Sequence, residues 1–194
     1  MLVGLTGCFG CGKSTVLKLF EELGATVLSA DSIVHDLLKR SEVRNSIVEM
    51  FGPDILVKGE IVRKKLSEKV FSDETKRKKL EKLLHPLVLE TIEQNYKKAA
   101  NLTSNTEIIM VVEIPLLFET GFDKGVDAVV VVRAEADVVR ERLRRKGFSD
   151  EEIRVRAAAQ LPVDEKASRA DYVIDNTGSL DDTERQVRRV WEDF

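Results

Sequence analysis

At 194 residues the chain has room for one good core, with small lobes appended to it. Its 43% hydrophobic and 34% charged residues are the balance of a globular domain and exclude a disordered one. A net charge of −3 argues against nucleic acid as a partner of the whole surface, and no apolar run approaches the roughly 20 residues that span a bilayer. The first element in chain order is Leu2-Val3-Gly4-Leu5-Thr6, a short apolar run that predicts a buried strand. It enters Gly7-Cys8-Phe9-Gly10-Cys11-Gly12-Lys13-Ser14-Thr15, which fits G-x-x-x-x-G-K-[ST], the phosphate-binding P-loop. Glycines there permit unusual dihedrals and close approach of backbone to phosphate. Gly10, Cys11, Gly12, Lys13, Ser14 and Thr15 are therefore the candidate nucleotide-binding residues. Lys13 would reach the β- and γ-phosphates, and the Ser14 hydroxyl would take one position on Mg²⁺.

After the loop, Val16, Leu19, Phe20 and Leu23 recur at helical spacing, so a helix N-terminus faces the bound anion. Thr26-Val27-Leu28 predicts a second strand, leading to Asp31 and the helical face of Ile33, Val34, Leu37 and Leu38. Asp31 has two readings from position alone, a carboxylate at a ligand-lined strand end or a helix N-cap. From about 31 to 104 little reads as strand, and Lys and Arg crowd the stretch from Arg63 to Lys82, most of it a solvated helix face. Gly52-Pro53 and Lys58-Gly59 mark turns, and His85-Pro86 is expected to interrupt the helical pattern.

Ile108 to Val112 is a continuous apolar run, the pattern of a strand buried on both faces, closed by Glu113 where a metal-side carboxylate would sit. Asp127 to Val132 predicts a fourth strand and Tyr172-Val173-Ile174 a fifth. Between them lie two Arg-rich helical segments, the second opened by the capping-box spacing of Ser149 and Glu152, which together read as a phosphate lid. The terminal helix is expected to bury Leu180, Val187, Val190 and Trp191. Strands alternating with helices imply an α/β fold with a parallel sheet covered on both faces. The only cysteines, Cys8 and Cys11, have C-x-x-C spacing, but a zinc site lacks further ligands nearby, and both are expected to occupy free loop positions. The amino end carries no basic, apolar, small-residue leader, so a cytoplasmic location is expected.

Nearly the whole chain resembles one family, the dephospho-CoA kinases. The likeness is carried by Gly4-Leu5-Thr6-Gly7 with the P-loop, Ala30-Asp31 with His35, and Leu84-His85-Pro86. It continues through Ile114-Pro115-Leu116-Leu117-Phe118-Glu119, Arg142-Leu143, Arg156 with Ala158-Ala159-Gln160, and Ala170 to Asn176. The resemblance implies a P-loop NTPase core with a five-stranded parallel sheet (1–30, 105–134 and 168–194), a helical acceptor-binding insertion (about 31–104) and a lid (about 135–167). It implies ATP-dependent phosphorylation of the ribose 3′-hydroxyl of dephospho-CoA to CoA and ADP, with Mg²⁺. Asp31 would orient or deprotonate that hydroxyl. Arg63, Leu66, His85, Pro115 and Leu116 would hold the acceptor, Arg142 and Arg156 would close on the phosphates, and Asn176 would lie near the adenine. No nucleic-acid or membrane partner is expected, and the chain would act as a monomer or weak homo-oligomer.

Three features depart from the family pattern: the loop reads GCFGCGKS rather than GGIGSGKS, Glu113 stands for the usual Asp, and Val139 replaces a polar residue. Two other readings compete. One is a P-loop kinase for a different small hydroxyl acceptor. The other is a nucleotide-binding switch protein, against which stands the lack of an N-K-x-D motif after the fourth strand.

Overall fold

The computed structural model describes residues 1–71, 73–102 and 108–194. In chain order, β1 (Leu2–Gly7), α1 (Lys13–Glu22) and β2 (Thr26–Ser29) come first. Next are α2 (Ala30–Leu37), α3 (Ser41–Phe51), the short strands β3 (Leu56–Val57) and β4 (Glu60–Ile61), α4 (Arg63–Phe71) and α5 (Glu74–Leu102). The chain then runs through β5 (Met110–Glu113), β6 (Ala128–Arg133), α6 (Ala136–Arg145), α7 (Asp150–Ala158), α8 (Val163–Ser168), β7 (Tyr172–Asp175) and α9 (Leu180–Glu192). Contacts divide it into two units, Met1–Ser29 with Lys98–Phe194, and Ala30–Lys97. The expected junction at 104 and 105 lies outside the described residues.

The first unit is built on a five-stranded sheet in the order β2-β5-β1-β6-β7, every pair parallel. Parallel strands bury both faces, and β5 and β6 are accordingly apolar up to their last residues, with Val111, Val112, Val130, Val131 and Val132 fully buried. Val3 and Leu5 of β1, Val16 and Phe20 of α1, Ile174 of β7 and Val187 of α9 join Val111, Val130 and Val132 in one continuous core. Each such side chain removed from water contributes about 1.5–3 kcal/mol. The register brings Gly7 opposite Val132, Arg133 opposite Asp175, and Glu113 opposite both Leu5 and Ser29. All five strands therefore end together, and their carboxyl edge carries the P-loop, the edge where open α/β sheets bind ligands.

A polar device ties the segment after β5 to α8. Lys166 is 0% exposed, and its ammonium reaches Glu119 Oε1 at 2.8 Å and the Pro115 carbonyl at 2.9 Å. Glu119 Oε1 also accepts the Leu161 N–H at 2.8 Å, and the Thr6 hydroxyl donates to the same Pro115 carbonyl at 3.2 Å. In the second unit, Leu38, Val43, Ile47, Phe51, Ile55, Leu66 and Leu84 form a separate core.

The structure corrects four expectations. α5 continues through Pro86, which does not end it. A proline forfeits one backbone hydrogen bond and crowds the preceding turn, but Leu84, Val88 and Ile92, at four-residue spacing on either side, are buried and hold the helix together, while Pro86 itself is exposed. The Lys58-Gly59 turn closes a small antiparallel hairpin, β3 with β4, where no strand was expected. Leu180 is 56% exposed, because it opens the first turn of α9 beyond the core edge. Strand β5 begins at Met110 rather than Ile108, although the Ile109 carbonyl still accepts the Thr26 N–H at 3.0 Å. The capping box at Ser149 and Glu152 is formed as its spacing predicts.

Removing one partner of a buried ion pair leaves an uncompensated charge, at a penalty of about 3–5 kcal/mol. Glu119→Ala is accordingly expected to lower unfolding free energy by about that amount, measured by urea denaturation, whereas Lys97→Ala, in a surface pair, shifts it by less than about 1 kcal/mol.

Candidate active site

The phosphate loop is shaped by its glycines and by what touches it from outside. Gly12 caps α1 in the left-handed region at φ 95°. A Cβ added there would lie 2.1 Å from Asn176 Nδ2. Gly10, at φ 82°, lies against Leu143 of α6, and a Cβ would come within 2.7 Å of that side chain. Side chains rarely adopt such φ values, so both conformation and space require glycine.

Lys13 is buried against the loop, its ammonium donating to the Cys8 carbonyl at 2.9 Å and to the Gly7 carbonyl at 3.4 Å. Ser14 and Thr15 are exposed in the first turn of α1, where the helix dipole favours an anion. Asn176, 6% exposed, donates from its side-chain amide to the Cys11 carbonyl at 2.7 Å and accepts the Thr183 hydroxyl on Oδ1 at 2.9 Å. Its own carbonyl accepts Arg142 Nη1 at 2.8 Å. The structure thus brings Cys11, Gly12, Arg142 and Asn176 into one cluster, with the Asn176 side chain spent on the loop backbone.

The Arg-rich segment arches beside the loop. Arg144 forms a two-pronged pair with Asp150, at 2.8 and 2.7 Å, bridging α6 to α7. The Arg156 guanidinium lies 5.2 Å from the Phe9 ring centre and 4.7 Å from that of Phe148, and the two rings meet edge to face at 5.4 Å. Phe9 is a loop residue, so this aromatic pair links the phosphate loop to α7. Between them opens a cavity of about 1090 Å³, lined among others by Cys8, Phe9, Arg140, Arg144, Ile153 and Asp175. Lys13 and Ser14 are not in its lining, so it lies on the α6 and α7 side of the loop.

The other expected site residues fall elsewhere. Pro115 and Leu116 directly follow β5, both half-buried. Asp31, exposed, lies in the first turn of α2, which begins at Ala30, so it stands inside the helix rather than at its cap. Arg63 is exposed as the first residue of α4, and His85 is half-buried on α5. Leu66, at 5% exposed, packs into the core of the second unit. Sequence reasoning passed over Thr183, Phe148 and Lys166, since none belongs to a motif and each gains its role only from a distant partner.

The two cysteines differ in chemistry. The Cys8 thiol is lowered from 9.0 to about 7, first by the hydrogen bond from Cys11, with Lys13 and the Ala134 N–H adding to it against the opposing effect of burial. Cys11 is pushed up, because its proton is held in that bond to Cys8 and the thiol is buried.

A parallel α/β sheet, a glycine-shaped phosphate loop and an arginine-bearing helical segment beside it define a P-loop kinase. Comparison with known proteins narrows this. The family model for dephospho-CoA kinase matches residues 1–182. A dephospho-CoA kinase of Aquifex aeolicus is 43% identical over 99% of this chain and 96% of its own length, and one from Arabidopsis thaliana is 43% identical over 97% and 82%. A solved structure from Thermus thermophilus superposes with a TM-score of 0.86 at 33% identity, over 100% of this chain and 97% of that one. The dephospho-CoA kinase of Campylobacter jejuni superposes with a TM-score of 0.71 at 28% identity, over 99% and 96%. A shikimate kinase from Bacteroides thetaiotaomicron, at 0.52 and 17% identity over 99% and 96%, shares the fold alone. The chain belongs to the dephospho-CoA kinase family.

A thiol is alkylated as its thiolate, whose fraction rises as pH passes the pKa. Iodoacetamide modification of Cys8, followed by peptide mass, is therefore expected to rise with a midpoint near pH 7, with Cys11 unreactive over the same range.

Proposed function

We propose how the residues of this chain divide the work of its family's reaction, the ATP-dependent phosphorylation of dephospho-CoA in the last step of CoA biosynthesis. The observation that carries the reading is the phosphate loop held at the carboxyl edge of the parallel sheet, in a chain that matches this family from residue 1 to 182. The hydroxyl phosphorylated is the 3′-hydroxyl of the ribose, giving CoA and ADP.

Phosphoryl transfer asks a protein mainly to align donor and acceptor and to neutralise spreading negative charge. The backbone from Gly10 to Thr15 cradles the donor's phosphates, and Lys13 moves from the loop carbonyls to meet them. Ser14 would help hold Mg²⁺. Its hydroxyl is exposed at the helix start, and among the described residues no group of three His, Cys, Asp or Glu side chains is placed to hold a metal. That donor set suits an ion kept largely by water and substrate phosphates. Bound there, Mg²⁺ would offset charge on those phosphates.

Asp31 accepts a hydrogen bond from the attacking hydroxyl and draws off its proton. Arg142 and Arg156 close on the phosphates and keep out water, a competing acceptor. Arg63 and His85 serve the acceptor, as do Pro115 and Leu116. Asn176, through its hold on Cys11, acts on the nucleotide by way of the loop. The segments 31–104 and 135–167 are the acceptor-binding insertion and the lid. The enzyme works in the cytoplasm as a monomer or weak homo-oligomer, without nucleic-acid or membrane partners. Among the described residues no helix is long and apolar enough to cross a membrane.

ADP release from ATP and Mg²⁺ is expected to depend on added dephospho-CoA, with CoA as the product by mass. Turnover with another hydroxyl compound in its place would instead favour the broader P-loop kinase reading. Asp31→Asn is expected to leave ATP affinity within about twofold and to lower kcat by about 10²-fold, the scale of general-base help. Steady-state kinetics with calorimetric ATP binding checks both numbers, and a normal kcat would reduce Asp31 to a helix-stabilising charge.

A further inference from the structure

We propose that Thr183 is a positioning residue for nucleotide binding, acting through Asn176 on the Cys11–Gly12 peptide of the phosphate loop. The proposal rests on the reading of that loop as the nucleotide site. Thr183 lies in the first turns of α9, is 0% exposed, and belongs to no recognised motif.

The chemistry of the partners fixes each bond's direction. A carbonyl only accepts, so the atom of Asn176 that meets the Cys11 carbonyl at 2.7 Å is its NH₂ group. Oδ1 therefore faces Thr183, and at 2.9 Å the hydroxyl must donate to it. The Ser179 carbonyl, at 3.2 Å, is the longer alternative for the same proton. With Oδ1 so engaged, the amide of Asn176 cannot rotate without leaving a buried acceptor unmatched.

The consequence reaches the phosphates through one peptide plane. In a trans peptide the carbonyl and the following N–H point in opposite directions, and no cis peptide occurs among the described residues. Holding the Cys11 carbonyl toward Asn176 therefore turns the Gly12 N–H the other way, into the concavity that binds phosphate. Gly12 fits so closely against Asn176 that a Cβ would be 2.1 Å from Nδ2. The Asn176 main chain is anchored independently, its N–H donating to the Arg133 carbonyl at 2.8 Å. The hydroxyl of Thr183 thus decides the orientation of a side chain whose backbone is already fixed.

Thr183→Val keeps the shape and removes the donor. Calorimetry with ATP in the absence of acceptor is expected to show affinity reduced about tenfold, the scale of an unmatched buried acceptor. The KM for dephospho-CoA stays within about twofold, and Thr183→Ser, which keeps the hydroxyl, returns ATP affinity to within about twofold of the parent. Unchanged ATP affinity in Thr183→Val would overturn the proposal. So would an equal rise in both substrate constants, which marks general loosening, or a serine variant no better than the valine one. If Thr183→Val does not fold, Thr183→Ala takes its place. Failure of both to fold would also overturn it, because the hydroxyl would then serve the fold rather than the loop. Because the ATP measurement uses no acceptor, failure of the acceptor assignment would leave this result readable.

Discussion

A loop that offers its N–H groups to phosphate cannot use those groups to hold itself. The whole first unit answers that constraint. The loop is gripped instead through its carbonyls and its missing side chains: Lys13 on the carbonyls of Gly7 and Cys8, Asn176 on that of Cys11, and Leu143 pressed against Gly10. Each grip comes from a different element, α1, the segment after β7, and α6. The parallel sheet is what makes this possible, since it ends all five strands at one edge and starts the following segments within reach of the loop.

Charge is used in two different ways in this molecule. Most ion pairs join residues three or four apart on exposed helix faces, as Lys78 with Glu74 or Arg188 with Glu184, and such pairs add little to stability. Lys166 and Arg156 are exceptions. The first is enclosed and binds two acceptors from one segment, fixing the chain that follows β5. The second remains exposed but rests on two aromatic faces, an arrangement that holds a cation without neutralising it.

Much of the fold was legible because its signals are local. The loop pattern, the apolar runs of β5 and β6, and the Ser149–Glu152 cap each lie within a few residues, and the structure realises all three. What escaped depended on distance or context. Pro86 breaks an isolated helix, yet the buried Leu84 and Val88, two residues away on either side, outweigh it. Leu66 sits in a basic stretch yet is buried, because it joins a cluster with residues distant in sequence, Ile55 and Leu84 among them. Leu180 has the right helical phase and the wrong height on the helix. Asn176 was visible as a motif residue, while the direction of its side chain was not, because that is set by Thr183 and Cys11 together.

The strand order also governs how the polypeptide assembles as it is made. β1 pairs with β5 and β6, whose residues follow it by more than a hundred positions. The nucleotide loop is therefore made well before the strands that complete its surroundings. The second unit, continuous from Ala30 to Lys97, emerges complete during that wait. Because the distant pairings of β1 must overcome a large loop-closure entropy, they are the slow step in building the first unit. Until β5 arrives, β1 and β2 lack the strand that both of them pair with, the stage at which association with other chains is most favoured.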